Sequence, residues 1–378
     1  MCNCVAGVLI VEMEPMIRIL TIALAGLVLV HESISEPHRA NEGLGATFKI
    51  SKSETLPEKF KQYLGPAAEK DIMVKMNDIK WPKSVPKEFD LRKEHPECAD
   101  LFSQAQDEGA CDTDAPAIVS SILADKHCIQ TGGKKKEQFS ADFLVRCAEK
   151  CRETAWIAMS WIWAWNYGVP TGGAYNSDIG CQPYSYKPCK HTLEKYIDKK
   201  KRVMSSKSDV DRKDGLEECR HAYSKVKQNE CTVKCTNTNY EYKDMKNRTV
   251  RFQDWYFLPE NDEEAMKKEI IARGSIAVGF TLYDDFFKYK KGIYRVSKGA
   301  EEAATWKHAK VIGWGEEKGQ KYWLAVNTWS NFNGGNKIIK FGIDQANIQE
   351  YVTSGHLFED VHPDDENDDS QEEFSARI

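Results

Sequence analysis

The chain has 378 residues, with 58 acidic against 53 basic side chains and a formal net charge of −5. That length can bury a substantial core, as one large domain or two packed halves. The mixed charges exclude the basic stripe that a nucleic-acid binder needs.

Met16-Ile17-Arg18 precedes the apolar run "ILTIALAGLVLV", Ile19 to Val30. A positive n-region followed by such an h-region predicts a signal peptide over 16–35. The run is shorter than the ~20 apolar residues of a spanning helix, so no stable membrane anchor is expected. Residues 1–15, "MCNCVAGVLIVEMEP", form an extension that sits awkwardly ahead of this signal, and the precursor is expected to start at Met16. The implied route is the secretory pathway, ending outside the cell, in a gut lumen or in a lysosome. The sequon Asn247-Arg248-Thr249 fits that route as a glycosylation site.

Secretion governs the cysteines. Leaving aside Cys2 and Cys4, ten remain, and an even number in an oxidising compartment predicts five disulfides. The rival is a metal site built from Cys147-x3-Cys151 and Cys231-x3-Cys235. Those spacings are one residue longer than the usual zinc knuckle, so no metal or other cofactor is expected.

Residues 36–82 form a propeptide-like segment that ends in the Pro-punctuated "KWPKSVPKEFDLR". From Ala115 to Val169 the pattern is helical. "AIVSSILADKHCI" repeats apolar residues at three and four, and Ser140 is a natural N-cap for "SADFLVRCAEKC". Trp156, Trp161, Trp163 and Trp165 are read as core filling. Lys195 to Arg220 reads as a long exposed loop. From Thr249 onward the runs "SIAVGFTLY", "HAKVIGWG", "KYWLAVNTW" and "KIIKFG" are β-rich. Helices first and strands second predict an α+β protein of two facing layers. The tail 359–378 is acidic and nearly devoid of apolar residues, the composition of a disordered segment.

Three separated pieces have the layout of a cysteine peptidase, whose nucleophile and base meet only in the fold: "EGACDTDA" at 108–115, "KHAKVIGWG" at 307–315 and "VNTW" at 326–329. With "VPKEFDLRKEHPEC" and "GVPTGGAYNSDIGCQPYSYKPCKH", they make residues 85–358 resemble a papain-family cysteine peptidase of the cathepsin B type. The resemblance implies a papain-like fold over 83–358, with a helical left half (about 83–235), a β-barrel-like right half (about 236–358), a cleft between them and an occluding-loop insert. By position it implies the disulfides Cys98–Cys128, Cys111–Cys151, Cys147–Cys231, Cys181–Cys235 and Cys189–Cys219.

Carried over residue by residue, the family motif puts Asp114 at the position of the nucleophilic cysteine. Glu108 falls at the glutamine that donates to the oxyanion. His308 matches the base, Asn327 its orienter, and Trp329 a retained cleft tryptophan. In the occluding loop His191 matches one of two adjacent histidines, and Thr192 stands for the other. Ala115 replaces a tryptophan, Lys307 the glycine before the base and Asn333 another tryptophan. Arg152, Glu153 and Thr154 stand where paired glycines meet substrate.

A thiolate attacks an amide because sulfur is highly nucleophilic. A carboxylate in that place is a poor nucleophile, and Asp114 is expected to be an N-cap that pairs quietly with His308. The expected function is a secreted, monomeric, catalytically inactive peptidase homologue that binds a peptide, a protease inhibitor or another protein. The alternative is residual hydrolysis, in which Asp114 and His308 activate a water, or Glu108, Asp112, Asp114 and His308 hold a metal.

Overall fold

The computed structural model describes residues 47–49, 73–75 and 81–357, except 112, 150, 152–156, 193–216, 220, 221, 223–225, 244, 246, 247 and 330–336. The signal peptide, most of the propeptide-like segment, nearly all of the lysine-rich loop, Asp112, Trp156, Asn247, Asn333, positions 152–154 and the acidic tail therefore lie outside the described residues. No helix among the described residues is long and apolar enough to cross a membrane.

Ahead of the main body, β1 (Thr47–Lys49) pairs antiparallel with β2 (Met73–Lys75). The body opens with β3 (Phe89–Asp90) and the one-turn helix α1 (Leu91–Glu94), capped by Asp90, which accepts from the Arg92 amide at 3.0 Å. A second short helix, α2 (Ala99–Phe102), follows.

The main helix α3 (Asp114–Gln130) tolerates Pro116 because the first turn has no amide to lose. It buries Ile118, Val119, Ile122 and Leu123 completely. Helix α4 (Ala141–Cys147) starts at Ser140, whose hydroxyl accepts from the Phe143 amide at 3.0 Å, as its sequence signature predicts. Helix α5 (Ile157–Asn166) puts Trp161 and Trp163 into the core, with Trp165 partly buried against it. Strand β4 (Val169–Pro170) pairs with β5 (Thr249–Val250).

The second half supplies β6 (Phe252–Phe257), helix α6 (Glu263–Arg273), β7 (Ile276–Tyr283), β8 (Ile293–Tyr294), β9 (Glu302–Glu317), β10 (Gln320–Val326), β11 (Ile338–Gly342) and β12 (Tyr351–Leu357). Its sheet runs β6-β12-β7-β9-β10-β11-β8, with β3 also pairing to β9. Helical layer and sheet thus meet in an α+β fold, and one apolar core spans both.

Polar contacts also cross the layers. Trp161 donates to the Thr353 hydroxyl at 3.0 Å, and fully buried Lys310 of β9 pairs with fully buried Asp125 of α3 at 2.8 Å. The Leu101 and Gln104 carbonyls and the Ser121 hydroxyl also lie within hydrogen-bond distance, so four acceptors surround the three N–H donors of the Lys310 ammonium.

Five disulfides join Cys98 to Cys128, Cys111 to Cys151, Cys147 to Cys231, Cys181 to Cys235 and Cys189 to Cys219. The first ties the start of the body to the end of α3 across 30 residues. Replacing both of its cysteines by alanine is expected to lower stability by about 3 kcal/mol, read from the denaturation midpoint under oxidising conditions. An unchanged midpoint would show that the reduced chain is already held by α3.

Candidate active site

The segment ahead of α3 is held by backbone bonds. The Asp107 carboxylate accepts from the Gly109 amide at 2.7 Å, and the Ala110 amide donates to the Lys187 carbonyl at 3.2 Å. Gly109 has φ +51°, and a Cβ there would lie 2.5 Å from the Lys187 carbonyl oxygen, so only glycine fits. Tyr184 donates its hydroxyl to the Glu108 carbonyl at 2.9 Å. These contacts aim the Glu108 side chain inward, where it is fully buried.

From the other layer, β9 brings Lys307 and His308. Their strand is pinned on one side by β7, where Gly279 faces His308 and Phe280 faces Lys307, and on the other by β10. The Lys307 ammonium donates to both Glu108 oxygens, at 2.7 and 2.9 Å, and lies 3.2 Å from Asp114 Oδ2. Trp329 donates its indole N–H to Glu108 Oε1 at 2.6 Å. The His308 amide donates to Asp114 Oδ2 at 2.8 Å, and His308 Nδ1 meets Asp114 Oδ1 at 2.9 Å. All four ionisable residues are nearly closed to solvent: Glu108 at 0%, Asp114 at 3%, Lys307 at 5% and His308 at 7% exposure.

This geometry corrects the expected role of Asp114. The N-cap of α3 is Thr113, and Asp114 is the first helical residue. Its carboxylate turns away from the helix's own amides toward His308 and Lys307. A buried carboxylate gains more from a cation and two hydrogen bonds at close range than from one local amide. The positive end of the α3 dipole still favours its charge.

Burial alone would raise the Asp114 carboxyl, but the Lys307 and His308 charges, with two hydrogen bonds from His308, hold it well below the ordinary aspartate range. A depressed folded value means that the stabilisation is present above the unfolded value of about 3.9 and is lost only as pH falls through the folded one. The stability gap between wild type and Asp114→Asn is therefore expected to be undiminished at about pH 5 relative to pH 7 and to close only in stronger acid. A gap that vanishes at about pH 5 would contradict the pairing.

The remaining residues assigned from the sequence are placed as follows. His191 stacks on Trp329, ring centres 4.6 Å apart, with its Nδ1 3.7 Å from Glu108 Oε1. Asn327 follows β10 and is buried; its backbone amide donates to the Lys337 carbonyl at 2.9 Å, and its side-chain nitrogen makes no hydrogen bond among the described residues. No hydrogen bond joins it to His308 there. Cys189, His191 and Cys219 converge as a metal group would, yet the two sulfurs are bonded to each other and offer no thiolate. Sequence reading took Glu108 and Lys307 as separate changes and missed that they form one ion pair. The available signal was their opposite charge at two positions that the resemblance places at the same cleft.

A family model described as papain family cysteine protease matches residues 85–355. A cathepsin B-like cysteine proteinase of Schistosoma japonicum is 29% identical over 279 residues, covering 72% of this chain and 73% of its own. Cathepsin B-like cysteine proteinase 4 of Caenorhabditis elegans is 28% identical over 292 residues, covering 75% and 79%. Among solved structures, proCathepsin B S9 from Trypanosoma congolense superposes with a TM-score of 0.56 at 22% identity, covering 74% of this chain and 80% of that one, a likeness of fold alone. Together with the family match across 85–355, these relatives make this chain a cathepsin B-like member of the papain family.

Proposed function

We propose that this protein is a pseudo-peptidase of the secretory pathway, which binds a peptide or protein in its cleft and does not hydrolyse it. The observation that carries the reading is the closed ion-pair cluster of Glu108, Lys307, Asp114 and His308. Asp114 stands at the nucleophile position of the family motif, and its carboxylate is already paired with the base. Such a carboxylate attacks amides poorly, and an anhydride formed from it would revert. Glu108 stands at the oxyanion donor's position, where an ionised carboxylate accepts and repels instead of donating. Loss of one oxyanion donor commonly costs about 10²–10³ in rate before any repulsion is counted.

The hydrolytic alternative has less support. A water activated by Asp114 and His308 needs room between them, and their side chains are in direct contact at 2.9 Å. A metal held by Glu108 and Asp114 needs the space between their carboxylates, which the Lys307 ammonium fills. The disulfides and the family suit the secretory route, and cleavage of the propeptide-like segment would then need another protease.

The reading is tested by incubating the chain with a broad peptide library and analysing it for both shortened products and retained peptides. Retained peptides of unchanged length are expected. New termini that track the amount of protein would overturn it.

A further inference from the structure

The stretch between β7 and β9, whose Phe286 and Phe287 pack against Trp329, encloses a shallow depression of about 510 Å³ lined by Asp284, Asp285, Lys288, Lys290, Lys291 and Lys298, among others. Its two acids are committed to the protein itself. Asp284 accepts from the Glu301 amide at 3.0 Å, and Asp285 accepts from the Tyr294 hydroxyl at 2.8 Å and the Ser297 amide at 2.7 Å. Arg295, also in the lining, pairs with Asp344 at 3.0 Å. The four lysines are exposed, and no ion pair among the described residues joins them to an acid. The depression is therefore a cationic surface in a chain whose formal net charge is −5.

We propose that the occupant of this surface is the chain's own acidic segment 364–373, "DDENDDSQEE", with seven carboxylates in ten residues. Reach permits it. Tyr351 of β12 pairs with Gly279 of β7, so the path from Leu357 back to Asp284 follows about eleven strand residues, or roughly 36 Å at ~3.3 Å each. Eleven residues beyond Leu357 lies Asp368, and an extended chain covers that distance at ~3.3–3.6 Å per residue. Asp368 thus reaches the Asp284 end of the depression, Asp369, Glu372 and Glu373 have one to five residues more to reach the lysines beyond it, and like charges along the segment favour the extended form. The covalent tether supplies an effective concentration in the ~millimolar range, while the net negative charge repels separate polyanions. Each pair is a surface ion pair of small individual worth, so the contact depends on several at once and on low salt.

Carbodiimide coupling of the full chain, which joins only carboxylates and amines already in contact, tests this. Peptide mapping of the monomer-sized product is expected to link 368–373 to Lys288, Lys290, Lys291 or Lys298 at about 20 mM salt, with at least a tenfold loss at about 500 mM. A Lys288→Ser/Lys290→Ser/Lys291→Ser/Lys298→Ser variant changes only exposed side chains and is expected to remove those links while keeping the wild-type denaturation midpoint. Links from the tail only to lysines within 195–213, links only in dimer-sized product, or none at low salt would overturn the proposal.

Discussion

Replacing Lys307 by alanine is expected to destabilise the protein by about 3–5 kcal/mol, the typical cost of stranding a buried charge. Lys307 is the hub of the cluster, since its ammonium touches both Glu108 oxygens and Asp114. Its removal leaves Glu108, fully buried, with the Trp329 indole at 2.6 Å and the His191 ring beyond it. Neither matches a close ammonium. Adding Glu108→Gln to Lys307→Ala should return much of that loss, because the buried carboxylate that lost its ammonium goes with it. Denaturant titrations of the two single variants and the double variant give the coupling energy. Additive losses would show that the pair is only a neighbourly contact.

The second large effect concerns revival of hydrolysis. Asp114→Cys with Glu108→Gln puts the family's residues at the two positions that the resemblance assigns to the nucleophile and the oxyanion donor. The cluster argues that these two do not suffice, because those substitutions remove the Glu108 and Asp114 carboxylates that pair with Lys307. A buried ammonium that has lost these two ion pairs would then lie beside the new thiol and glutamine, at a cost of about 3–5 kcal/mol. The double variant is expected to be unstable and nearly inactive. Lys307→Gly added to it removes the buried ammonium, and the triple variant is expected to fold and cleave. Reverting its glutamine to Glu108 should then lower kcat/KM by about 10²–10³. A double variant as active as the triple would show that the Lys307 ammonium does not stand in the way of hydrolysis.

The sequence carried the α+β order of helices and strands, the Ser140 cap and the buried tryptophans of α5 because each rests on local pattern or composition. The role of Asp114 was not legible in that way. A capping residue is chosen by nearby amides, but here the competitors arrive from a strand 194 residues further along the chain. The Glu108–Lys307 pair was hidden for the same reason, its members standing 199 positions apart. Each of them alone reads as damage to a motif. Only in the fold do they become one neutralised unit, in which the Lys307 ammonium supplies the counter-charge for the Glu108 carboxylate. Asn327 marks the opposite case, since its position matches the orienter of the base and yet the structure gives it no hydrogen bond to His308.

The central claim is that this closed cluster abolishes peptide hydrolysis. Its most direct test is the cleavage rate of the wild-type mature chain on a broad fluorogenic peptide set, run beside His308→Ala. The account predicts that both stay at the uncatalysed background. Cleavage by the wild-type chain that disappears in His308→Ala would contradict it.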